Sequence, residues 1–148
     1  MVPQGAENKA VSEVVQAMAA EAGFDMKIRV TEFATSLNAA EAGEYQAYLI
    51  GWSGRTDPDQ NVINHLGCNG PFNWGKYCSE AMQAALTEAR THSDPEKRKT
   101  AYARAVAVAE VDRPLIYIFH QALLFAHSDK ITGYTQPPDG LIALAKVG

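Results

Sequence analysis

The chain has 148 residues, 47% of them hydrophobic and 20% charged, the composition of an ordinary globular domain with enough apolar residues for a core, which excludes a disordered chain. A formal charge of -4, with no basic cluster longer than Lys97-Arg98-Lys99, argues against a nucleic-acid or anionic-membrane surface and for small or neutral partners. No apolar run approaches the roughly 20 residues of a membrane span, and the opening MVPQGAENKA lacks the regions of a signal peptide; taken alone, this points to the cytosol.

Residues 1–3 read as the remnant of a strand. Val11, Val14, Val15, Met18 and Ala22 then recur at helical spacing, which predicts an amphipathic helix over residues 11–22 that stops at Gly23. Met26, Ile28 and Val30 alternate with Lys27, Arg29 and Thr31, the period of a strand with one buried face. A second helix is expected over residues 34–42, ending at Gly43. Residues 45–52 form a nearly unbroken apolar run, as in a strand covered on both faces. Helix, strand, helix and strand in that order predict an α/β fold, a layered mixed sheet with flanking helices and right-handed crossovers.

Asp57-Pro58-Asp59-Gln60 reads as a helix start, with Asp57 as N-cap, proline at the first helical position and Gln60 at the capping-box position; the helix ends near Gly67. Ser79 caps the next, with Met82, Ala85, Leu86 and Ala89 as its apolar stripe. Ser93-Asp94-Pro95-Glu96 opens another, with Tyr102, Ala105, Val106 and Ala109 facing inward. Residues 115–119 and 123–126 read as strands, and residues 128–140 as loop.

The stretch YLIGWSGRTDPD places Gly51, Trp52, Ser53, Gly54, Arg55 and Asp57 directly after a predicted buried strand, where α/β folds collect ligands. Gly51 and Gly54 allow close approach to the main chain and backbone conformations other residues avoid. Trp52 offers a stacking face, and Arg55 a planar donor fork suited to carboxylate or phosphate. The competing reading makes Trp52 a core residue, pairs Arg55 with Asp57 or Asp59, and leaves the glycines as a turn. Catalysis finds less support: His65, His92, His120 and His127 are scattered, and no Gly-x-Ser-x-Gly or phosphate-loop pattern occurs. Cys68 and Cys78 are spaced to close a small loop, and a disulfide there would imply an oxidising compartment; the alternatives are two unpaired thiols and a zinc site recruiting His65, which lacks a fourth ligand and any standard spacing.

In order and spacing, five segments together resemble the C-terminal part of the family 5 extracytoplasmic solute-binding proteins of ABC importers. They are VSEVVQAMAAEAGFDMKIRV, YLIGWSGRTDPDQN, the cysteine-bounded segment ending in YC, ALTEARTHSDPEKRKTAYARAVAVAEVDRPLIYIFH and FAHSDKITGYTQPPDGL. The resemblance implies a type II periplasmic-binding-protein-like lobe, with residues 1–148 forming a single lobe, the C-terminal fragment of a larger two-lobed protein. It implies a non-enzymatic role in the periplasm: capture of a peptide-like or other small anionic solute and delivery to a membrane permease. No cofactor and no metal site are expected from the residues themselves. The resemblance also implies that Cys68 and Cys78 pair. Dipeptide-binding relatives carry an aspartate in the cleft loop that meets the ligand's amino terminus. Here Arg55 follows Gly54 instead, and the loop is one residue shorter, which argues against an ordinary free-amine dipeptide. The alternatives from other classes are a small hydrolase or transferase using Arg55 and a histidine, and a stand-alone interaction module.

Overall fold

The computed structural model describes residues 1–137, 140–144 and 147. They form two compact units, Met1–Trp52 and Ser53–Gly148. Part of the expected tail loop, residues 138 and 139, lies outside the described residues. No helix among the described residues is long and apolar enough to cross a membrane.

In the first unit, strand β1 (Val2–Pro3) pairs in parallel with β2 (Val30–Thr31), Val2 opposite Val30, so the opening residues are the strand that the sequence suggests. Helix α1 (Ala6–Glu21) makes the crossover and α2 (Phe33–Glu41) follows β2. Both helices hand over to glycines at positive φ, Gly23 at 87° and Gly43 at 73°, the conformation that side chains resist.

Several expectations need correction here. Helix α1 starts five residues early, because Ala6, Lys9 and Ala10 favour helix without contributing to an apolar stripe. Its inner face is also rotated: Ser12 is buried and bonds the Asn8 carbonyl at 2.8 Å, whereas Val14 and Met18 are largely exposed. The strand expected over residues 26–31 is regular only at Val30–Thr31. Residues 45–52 form no buried strand. Two backbone bonds run to Met1, from its amino group to the Ala47 carbonyl (2.6 Å) and from the Leu49 N–H to its carbonyl (3.0 Å). A strand covered on both faces needs neighbours on both edges and both faces, and these two bonds supply one edge only.

In the second unit, α3 (Pro58–Leu66), α4 (Glu80–Thr91) and α5 (Pro95–Asp112) begin at the expected caps. Asp57 accepts from the Asp59 N–H, Ser79 from Met82, and Asp94 from Glu96 and Lys97. Met82, Ala85, Leu86 and Ala89 are buried as predicted. They meet Ala101 and Ala105 of α5, with Leu66 of α3 completing the core. Val106, expected inward, is 56% exposed. The seam toward α4 follows Ala101, Ala105 and Ala109, and one residue further turns a side chain by about 100° away from it; Val108 packs on the core instead.

Cys68 and Cys78 form a disulfide. Inside the loop that it closes, Asn73 bonds the Tyr77 peptide in both directions, at 3.0 and 2.6 Å, and donates to the Gly67 carbonyl at 3.0 Å. A Cβ at Gly70 would collide with the Asn64 carbonyl, so the loop can lie against α3 only with glycine there. The strands expected over residues 115–119 and 123–126 are absent from these residues: Ile116 is 88% and Leu124 93% exposed. Apolar runs become strands only when partners supply their backbone bonds, and none of the described residues does so here.

Candidate functional site

The sequence places six candidate ligand contacts between Gly51 and Asp57. Gly51 and Trp52 end the first unit. Trp52 is 41% exposed and is not enclosed by the described residues. Neither Gly51 nor Gly54 has a positive φ, and a Cβ at either would meet nothing within 4 Å. The expectation of unusual backbone is thus corrected. What these glycines supply is open space above the main chain.

Ser53, Gly54, Arg55 and Asp57 belong to the second unit, and the segment 53–57 is tied to α3 by one side chain. Asn61, in the first full turn of that helix, accepts the Arg55 N–H at 2.7 Å and donates its own Nδ2 to the Arg55 carbonyl at 2.7 Å and to the Asp57 carbonyl at 3.3 Å. The amide thereby acts as a short stand-in for a neighbouring strand, satisfying donor and acceptor of an exposed residue that has no ladder. The Arg55 guanidinium is exposed and curls over its own loop, Nη1 donating to the Ser53 carbonyl at 2.6 Å, to Ser53 Oγ at 3.0 Å and to the Gly54 carbonyl at 3.3 Å.

The two acids weighed as partners of Arg55 are engaged by cations from other helices. Arg98 of α5 donates to Asp57 Oδ1 at 2.6 Å, and its guanidinium carbon lies 5.7 Å from the centre of the Tyr102 ring. Arg90 Nε of α4 stands 3.2 Å from Asp59 Oδ1, close enough for an ion pair but not aligned for a hydrogen bond. Asp57 therefore caps α3, joins it to α5 and fixes one end of the loop.

The Arg98 hydrogen bond, and after it the Asp59 N–H, hold the Asp57 carboxyl below the usual carboxylate range. A depressed carboxyl contributes stability above its unfolded value of about 4, and that contribution is lost as pH falls through the lower folded value. Asp57→Asn keeps the cap while removing the charge. It is expected to destabilise the protein at about pH 6 and to converge with the unaltered protein by about pH 2, as read from denaturant midpoints. A gap that persists unchanged at low pH would show that the ion pair is not its source.

Asn61, Arg98 and Arg90 escape a reading of the sequence. Asn61 lies four residues after Asp57, a spacing at which an Asx side chain on a helix reaches back to the preceding turn, and this was the one local signal available. Arg98 is 41 residues from Asp57, and no local pattern joins them. His65 is half-buried on α3, its Nδ1 3.1 Å from the Asn61 carbonyl and its ring 5.6 Å from Phe72. Burial lowers its proton affinity, and the Asn61 carbonyl opposes this in part. The imidazole thus favours its neutral form, with Nδ1 as donor to the carbonyl. Among the described residues no three His, Cys, Asp or Glu side chains are grouped to hold a metal ion.

Arg55 is thus an exposed arginine on a loop whose backbone is held by Asn61, in a type II periplasmic-binding-protein α/β fold. The chain resembles the bacterial extracellular solute-binding proteins of family 5: the model described as "Bacterial extracellular solute-binding proteins, family 5 Middle" matches residues 2–74. It is 30% identical over 131 residues to di/tripeptide-binding protein 4 of Pseudomonas aeruginosa (strain UCBPP-PA14), covering 86% of this chain and 25% of the relative. It is 28% identical over 142 residues to the dipeptide-binding protein of Escherichia coli (strain K12), covering 93% of this chain and 26% of the relative. The solved structure of HbpA2 from Haemophilus parasuis superposes with a TM-score of 0.76 at 27% identity, over 95% of this chain and 28% of that one. The chain thus spans about a quarter of the length of these relatives.

Proposed function

We propose that this chain is one lobe of a longer periplasmic solute-binding protein that captures a peptide-like or other small anionic solute and delivers it to the membrane permease of an ABC importer, without chemical turnover. Two kinds of support for the lobe reading are the quarter-length match to its relatives and the exposed apolar run over residues 115–125, a surface suited to strands contributed by further chain. The relatives' names, di/tripeptide-binding and dipeptide-binding, support a solute of peptide size.

The observation that carries the anionic part of the proposal is Arg55, an exposed cation on a backbone clamped by Asn61. Ser53 and Gly54 offer hydroxyl and open main chain beside it, Gly51 and Trp52 precede it in the chain as further contacts, and Asp57 anchors the loop to α5. Closure of a second lobe over the solute then stabilises the liganded state by contacts that only the closed form makes.

The test is Arg55→Ala in the full-length protein. Melting temperature is expected to stay nearly constant while solute affinity falls by about 1.5 to 3 kcal/mol, the range for a hydrogen bond to a charged group. Lost stability with unchanged affinity would assign Arg55 to the fold instead.

A further inference from the structure

Most exposed arginines sweep a wide volume, and a cation that must meet a ligand loses entropy in proportion to that freedom. Arg55 is different from its backbone outward. The Asn61 amide closes a two-way pair with the Arg55 peptide, 2.7 Å in each direction, and the same Nδ2 reaches the Asp57 carbonyl at 3.3 Å, so one side chain holds three backbone atoms on the two residues that flank Thr56. Asn61 itself is fixed by its place in the first full turn of α3, whose start is held by the Asp57 cap and the Arg98 bridge to α5.

We infer that Asn61 is a positioning residue for solute binding, a side chain that touches no solute but holds the Arg55 backbone where its guanidinium can receive an anionic group. This rests on the reading of Arg55 as a ligand contact. Asn61 adds to it a specific division of labour, in which Arg98 and Asp57 stabilise the helix start and Asn61 couples that helix to the binding loop. A substitution at Asn61 acts on the solute only through Arg55, so its effect on binding disappears when Arg55 is absent.

The experiment is a double-mutant cycle in the full-length protein, with affinity for an equimolar mixture of N-acetylated dipeptides as one readout and hydrogen-exchange mass spectrometry of a peptide covering residues 54–56 as the other. Asn61→Ala is expected to weaken binding about five- to tenfold in the unaltered protein and less than about twofold in the Arg55→Ala background. It is also expected to abolish exchange protection at the Arg55 N–H while leaving α4 and α5 protected. Asn61→Asp retains the oxygen that accepts this N–H, so protection should persist there even as the Nδ2 bonds are lost, which separates loop release from misfolding. An equal loss of affinity in both backgrounds, or no loss from Asn61→Ala where Arg55→Ala does weaken binding, overturns the positioning role and leaves Arg55 as a ligand contact. If Arg55→Ala has no effect, or the unaltered protein binds none of the probes, the reading of Arg55 fails, and the positioning role falls with it.

Discussion

Leu86→Ala is expected to destabilise the protein by about 2 to 5 kcal/mol, the range for deleting a fully buried leucine side chain together with the cavity it leaves. Leu86 has no exposed surface, and Met82, one turn earlier on α4, has none either. The buried residues of α4 and α5 beside them are alanines, Ala85, Ala89, Ala101 and Ala105, which bring little volume of their own, while Leu66 and the partly buried Val62, Ile63, Tyr77, Tyr102 and Val108 pack around the cluster. The buried alanines cannot swing into a vacancy, so on the α4 and α5 side relaxation recovers little of the lost contact. Met82→Leu, by contrast, conserves volume and should cost less than about 1.5 kcal/mol. Denaturant midpoints for the two variants would separate these cases, and a Leu86→Ala variant within about 1 kcal/mol of the unaltered protein would mean that the α4–α5 seam is not its core.

Removing the Cys68–Cys78 bridge, by reduction or by Cys68→Ala with Cys78→Ala, is expected to cost up to about 3 kcal/mol in the chain-entropy model for a loop of this size. The bridge spans a sequence separation of 10. The loop is also held by Asn73, and the Cys68 N–H bonds the Gln83 side chain of α4 at 3.0 Å. The reduced protein should therefore fold and unfold earlier, not fail to fold. The check is unfolding with and without reductant, with thiol alkylation to confirm which form is present. Identical midpoints for both forms would remove the bridge from the list of stabilising features.

How far the sequence discloses this molecule depends on the range of the interaction behind each feature. Helices α3, α4 and α5 are legible because caps and stripes act within a few residues: Asp57, Ser79 and Asp94 start them where expected, and Met82 to Ala89 face inward where expected. The strands are legible only in part, since an apolar run such as residues 115–119 states a preference for burial but cannot state whether a partner is present. Among the described residues only β1 and β2 find each other, across the α1 crossover. The same divide runs through the candidate site. Arg55 stands out from its position after an apolar run, but the groups that order its surroundings, Asn61 and Arg98, are ordinary residues on helices until the fold brings them to the loop.

The central claim, that this chain supplies an anion-binding wall to a periplasmic solute-binding protein, is tested most directly by mass spectrometry of the small molecules retained by the full-length protein after purification and released on denaturation. The unaltered protein is expected to release an anionic solute of peptide size. The Arg55→Asp variant, which reverses the charge on the same loop, is expected to release none of it, because repulsion replaces a charged hydrogen bond. Recovery of the same solute in equal amount from the Arg55→Asp variant would contradict the account.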